Sequence, residues 1–214
     1  MKQIILTICS AAVLASCSES SQKPVAEKEA EPKVASVSTT TEPTLPDSVI
    51  NKNWMDYATP GKEHEMMSKW NGSWTSETTW WMAPGAPPST SIMTTTNTML
   101  LGGRYQQSVH KGSFDKQPFE GIGTLAYDKT RKVFVSTWID NMGTGIMEGE
   151  GTWDEATKSI NIRGKMTDAG YSKEMPFREV FRIVDEDHHV MEMYATDRSG
   201  KEFKNMEIKF TRKK

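Results

Sequence analysis

From residue 73 onward the sequence predicts an all-β fold: a closed antiparallel up-and-down barrel of about ten strands. Three observations lead there. Turn-forming clusters recur at Asp128-Lys129, Asn141-Met142-Gly143, Asp154-Glu155, Asp168-Ala169-Gly170, Asp185-Glu186-Asp187 and Asp197-Arg198-Ser199-Gly200, mostly twelve to fourteen residues apart, the rhythm of a meander. Between them side chains alternate with a period of two. Ile160, Ile162 and Met166 oppose Asn161, Arg163 and Lys165, and Met206, Ile208 and Phe210 oppose Glu207 and Lys209. Finally, no helix of any length fits between these strands. A meander of this size leaves two raw edges unless it closes, and closure removes them. A lipid-facing barrel would need a continuous apolar outer band. The polar run Arg104-Tyr105-Gln106-Gln107-Ser108-Val109-His110-Lys111 argues against one.

The elements follow in order. Residues 1–16 have a basic Lys2, an apolar run from Ile4 to Ala15 and small residues ahead of Cys17, the composition of an export leader. The run is shorter than the ~20 apolar residues of a membrane-spanning helix. Leu14-Ala15-Ser16-Cys17 resembles a bacterial lipobox, which implies cleavage before Cys17 and acylation of that residue. Two or more chains give stable anchoring, at roughly 0.8 kcal/mol per buried methylene. The only other cysteine, Cys9, lies in the leader. The expected mature chain therefore has no disulfide and no free thiol chemistry.

Residues 17–53 are rich in Ser, Thr, Glu, Lys, Ala and Pro and nearly lack large apolar side chains. Such a stretch cannot repay its ordering entropy, so a disordered tether spanning roughly 30–35 Å is expected. The folded domain is then 54–214. It should open with a short amphipathic helix running to about Lys69, with Thr59 as N-cap, Pro60-Gly61 in its first turn and Asn71-Gly72 ending it. His64, Met67 and Trp70, or Met66 and Trp70, would share its buried face.

The first strand opens on Gly72-Ser73-Trp74, and Arg212 stands near the end of the last. This pair resembles the calycin pattern of lipocalins and fatty-acid-binding proteins, which implies a structural Trp74 plugging one end with Arg212 across its indole. The wider order of segments is similar to the bacterial domain-of-unknown-function family numbered 1579. Those segments include Pro60-Gly61-Lys62-Glu63-His64, Leu101-Gly102-Gly103-Arg104-Tyr105, Phe119-Glu120-Gly121-Ile122-Gly123, Ser136-Thr137-Trp138-Ile139-Asp140 and Met206-Glu207-Ile208 before Thr211-Arg212. The resemblance covers about residues 55–213 and implies a lipocalin-like or nitrobindin-like barrel without implying an activity.

Polar side chains that alternate in step with bulky ones are the candidate site, since a buried polar group must find a partner or serve a ligand. Arg104, Trp138, Asp140, Glu148, Arg178, Glu192 and Tyr194 form that set, and the competing expectation puts their charges on the outer wall. Sharper chemical signals are missing. Gly121-Ile122-Gly123 is followed by a strand and a turn, unlike a dinucleotide loop. His188 and His189 are adjacent, so on a strand they point to opposite faces. His64-Glu65 lacks a second zinc-ligating histidine, and no nucleophile elbow occurs. A haem site would need an inward neutral histidine, and His110, His188 and His189 carry no motif for it. A net charge of −2 without a basic stripe argues against nucleic acid.

The expectation is a non-enzymatic envelope lipoprotein with no cofactor and no metal. It would be held through Cys17 on the periplasmic side of the outer membrane, its barrel binding a small hydrophobic or amphipathic ligand. The alternative is an adaptor that binds a protein or cell-wall partner through its outer surface.

Overall fold

A computed structural model describes residues 44–214. Two helices, α1 (Asp47–Ala58) and α2 (Lys62–Ser68), precede ten strands. These are β1 (Gly72–Trp80), β2 (Ser89–Leu100), β3 (Tyr105–Phe114), β4 (Gln117–Asp128), β5 (Val133–Asp140), β6 (Met147–Asp154), β7 (Ser159–Asp168), β8 (Lys173–Ile183), β9 (His188–Thr196) and β10 (Glu202–Arg212). Each strand pairs antiparallel with its sequence neighbour, and β1 pairs with β10, closing the barrel. The strand count and the closure match what the turn rhythm predicts.

Up-and-down order gives the barrel two distinct ends. The α2 segment and the turns at 101–104, 129–132, 155–158 and 184–187 lie at one end. The loop 81–88 and the turns at 115–116, 141–146, 169–172 and 197–201 lie at the other. The first end is plugged. Met67, Trp70 and Trp74 are buried there among Phe134, Ile160, Ile162, Phe177, Ile208 and Phe210. Each such side chain contributes roughly 1.5–3 kcal/mol on leaving water.

The plug is held by the backbone needs of a short helix. The last carbonyls of a helix have no partner within it. Here the barrel wall supplies donors. Gln106 donates to the Met67 carbonyl, Trp74 Nε1 to that of Trp70 at 2.9 Å, and Asn97 to the same oxygen at 3.1 Å. Arg212 donates to the carbonyls of Lys69 and Asn71 at 2.8 and 2.7 Å. Its guanidinium lies 4.1 Å from the centre of the Trp74 indole, a cation–π contact.

The helical segment differs from the sequence expectation in two places. Gly61, not Thr59, is the N-cap of α2, and its N–H donates to Nδ1 of His64 at 3.1 Å. Thr59 instead closes α1 by donating from Oγ1 to the Met55 carbonyl. Residues 47–53, assigned to the tether by composition, are helical in α1. Hydrophobic content was too crude a guide there, because α1 buries no side chain. It is held instead through its C-terminal carbonyls. Lys129 donates to those of Asp56 and Thr59, and Arg104 to that of Ala58, cations where the helix dipole favours them. Cys17, the leader and the rest of the tether lie outside the described residues.

Candidate ligand site in the mouth half of the barrel

Inward positions change character from the plug toward the open end. At mid-height a polar chain crosses three strands: Ser76 on β1, Thr95 on β2 and His110 on β3, all buried. Ser76 and Thr95 share a hydrogen bond between hydroxyls, and Thr95 Oγ1 lies 2.9 Å from Nδ1 of His110. Burial pushes His110 down to about 4, so the imidazole is neutral at pH 7 and bonds as a dipole rather than a charge. His189, packed 4.4 Å from Trp74 in the plug, is likewise pushed down to about 4, first by burial and then by Arg212.

Above His110 stands an aromatic belt. Trp138 meets His110 edge-on at 5.0 Å and stacks toward Phe119 at 6.4 Å, while Trp80 stacks on Phe114 at 4.5 Å. Trp138 lies so close over β4 that a Cβ on Gly121 would sit 2.3 Å from its ring. Only glycine leaves room for the indole there. Trp138 Nε1 donates to Asp140 at 2.8 Å, which orients the ring. A cleft of about 700 Å³ opens at this end, lined by Trp80, Met82 and Phe114 among others. A smaller one of about 290 Å³ touches Ile122, Ile139 and Asp140 on the rim.

The wall opposite holds an unexpected carboxylate. Glu179 alternates with the inward Phe177 and Phe181 on β8, between Ile162 on β7 and Met193 on β9. It is partly buried between them. Burial pushes its carboxyl up to about 7. No hydrogen-bond or ion-pair partner meets it among the described residues. Three further polar atoms are buried and unpartnered among the described residues: Ser91 Oγ on β2, Asn205 Oδ1 in the bulge of β10, and, at the plugged end, Asn97 Oδ1, whose amide nitrogen donates to the Trp70 carbonyl.

Of the sequence candidates, only Trp138 and Asp140 belong to this inner face. Arg104 sits in the turn after β2 and binds α1. Glu148 is exposed on the outer wall. Arg178, Glu192 and Tyr194 also face outward and pair among themselves and their neighbours. Arg178 binds Glu202 through two nitrogens and lies 3.6 Å over the Tyr194 ring. Tyr194 donates to Glu192, which also accepts from Lys204. The single cavity expected for all seven does not form. The parity of three strands explains it: β6 turns Gly149 and Gly151 inward, β8 turns Phe177 and Glu179, and β9 turns Met191 and Met193. Glu179 was discoverable by the same parity, since it stands between two phenylalanines at a spacing of two. Among the described residues no three His, Cys, Asp or Glu side chains gather as a metal site requires.

Comparison with known proteins places this geometry. The family described as "Protein of unknown function (DUF1579)" matches residues 59–212. Eleven chains of solved structures match. Among them is the crystal structure of Rv2717c from M. tuberculosis, at a TM-score of 0.55 and 14% identity over 73% of this chain and 100% of that one. At that identity the likeness is one of fold. No curated protein matches the chain.

Proposed function

The chain belongs to the DUF1579 family, and on that premise we propose that it is an envelope lipoprotein whose barrel takes up a small, largely apolar molecule through its open end. One observation carries the reading. The mouth half combines an aromatic belt with buried polar atoms that the fold leaves without partners, as ligand sites do. A purely structural barrel fills its interior and satisfies its polar groups. The Trp74–Arg212 pair supports kinship with the calycins. The leader and Cys17 support acylation and export, with the barrel beyond the membrane surface.

Carrier suits the interior better than enzyme. The carboxylate pairs that acid–base chemistry would need do not converge: Glu148 and Glu150 face outward, with Glu150 bound by Arg131. Asp140 holds the Trp138 N–H on the inner face, while Glu192 lies on the outer wall bound to Lys204. The adaptor reading draws on α1, where Trp54 and Met55 are 66% and 69% exposed.

Native mass spectrometry of the chain extracted from membranes of its own host tests both halves. The expected spectrum shows a diacylglyceryl adduct that disappears in Cys17→Ser and a second, non-covalent small molecule. Repeated spectra of bare protein would defeat the carrier reading. An unmodified wild-type Cys17 would defeat the lipoprotein reading.

A further inference from the structure

We infer that the ligand is an amphiphile whose polar end donates hydrogen bonds, an amine above all, and that it is not a fatty acid or other anion. The inference rests on the carrier reading and names the ligand class for the same site. Its basis is the sign and valence of what the interior offers.

Among the described residues no lysine or arginine joins the inner wall at mid-height; Lys116 lines the cleft from the turn at its rim, beside Asp115. Arg178 is turned outward and bound to Glu202, Lys204 is bound to Glu192 and Glu207, and Arg212 is spent on the plug. The one charged group on the inner wall at mid-height is the Glu179 carboxyl. Burying an unpaired carboxylate in such a wall is costly unless a cation or donors reach it. An anionic head at that height would meet no lysine or arginine and would be repelled by Glu179, and Lys116 at the rim already stands beside Asp115.

The other partnerless atoms agree. A side-chain amide oxygen only accepts, and Asn205 Oδ1 is such an atom. Asn205 adjoins Met206, which pairs with Met193, which pairs with Glu179. Along that tilted row Asn205 and Glu179 are two strand spacings, or about 10 Å, apart. Trp80 pairs with Met206 in the same row, bringing an aromatic face to it. Acceptors beside aromatic rings suit an ammonium, which bonds the oxygens and is attracted to the ring faces. The apolar chain would lie along the belt of Trp138, Phe119 and Phe114.

The flanking inward positions on β7 and β9, Ile162 and Met193, do not titrate, and burial alone displaces Glu179. Its ionisation therefore governs the site directly. A decyl amine keeps its charge to about pH 10, so its binding should tighten as Glu179 ionises.

The test uses the delipidated full-length mature chain and three probes of one length: decylamine, 1-decanol and decanoate. Binding is read by quenching of tryptophan fluorescence. At about pH 8 we expect decylamine to bind about tenfold or more tighter than decanoate. Between about pH 5.5 and 8.5 its affinity should rise about tenfold while that of decanol stays level. Glu179→Gln, checked for folding by circular dichroism, should erase the amine preference and leave decanol binding in place. Decanoate binding as tightly as decylamine overturns the inference while sparing the carrier reading, as does a flat pH profile for the amine. Failure of all three probes, together with bare protein in native spectra, overturns the carrier reading and this inference with it.

Discussion

At the closed end every carbonyl from Met67 to Asn71 is met by a donor, and the buried ring of Trp74 lies beneath Arg212. Nearer the mouth Ser91 and Asn205 keep buried polar atoms with no partner, and at mid-height the Glu179 carboxyl has none; at the closed end Asn97 Oδ1 alone among the described residues is left so. The same ten strands run through both halves, so strand pairing does not cause the difference. What differs is the inward side chain at each level. The plugged half spends its inner positions on volume and on satisfying α2. The mouth half leaves polar capacity open, which is costly in an empty barrel and useful in a filled one.

The sharpest way to break this comparison is to unseal the plug. Trp74→Ala removes a fully buried ring, leaves Arg212 without its aromatic face and takes a donor from the Trp70 carbonyl. A loss of about 3–5 kcal/mol is expected in urea denaturation, with ligand affinity measured under native conditions little changed. A loss below about 1 kcal/mol would mean the closed end is not where the stability resides.

The second prediction sets the halves against each other by pH. His110 and His189 have pKa values held down to about 4 from 6.5. Their contribution is present above about pH 6.5 and is lost as pH falls through about 4. Glu179 is raised from 4.5 to about 7. Its contribution is complete below about pH 4.5 and is lost as pH rises through about 7. Between pH 6.5 and 4.5 the terms oppose, two groups against one, and the wild type should lose about 2 kcal/mol there. Glu179→Gln removes the compensation, so the variant should lose about 4 kcal/mol over the same range. Parallel curves for the two proteins would show that Glu179 does not carry an uncompensated carboxyl.

The smallest effect concerns α1. Lys129→Ala removes two hydrogen bonds to its terminal carbonyls. Barrel stability should change by less than about 1 kcal/mol, while proteolysis near Tyr57 speeds up. Unchanged cleavage would show that Lys129 does not hold the helix.

Much of this architecture was legible in the sequence, and the reason is period. Alternation at Ile160-Ile162 and Met206-Ile208-Phe210, with an Asp-rich turn every dozen residues or so, leaves a meander little choice but to close. The site was less legible because parity needs an anchor. Along Val190-Met191-Glu192-Met193-Tyr194 both faces carry bulky groups, so alternation alone does not say which is inside. On β6 the inward residues are Gly149 and Gly151, which carry no hydrophobic signal to set the parity of Glu148. Helix α1 escaped because its apolar residues are exposed rather than absent. Glu179 had an anchor on each side in Phe177 and Phe181.

One further consequence follows from where the chain enters and leaves the barrel. Helix α2 leads into β1 at the plugged end, and β10 finishes there too, with the Lys213 N–H donating to the Ser73 carbonyl. Both ends of the domain therefore emerge on the side away from the mouth. A label, a surface or a second domain attached at either one would leave the rim of Met82, Met142 and Tyr171 clear. The barrel is built like a cup with both handles on its base, which can be immobilised from below and still be filled.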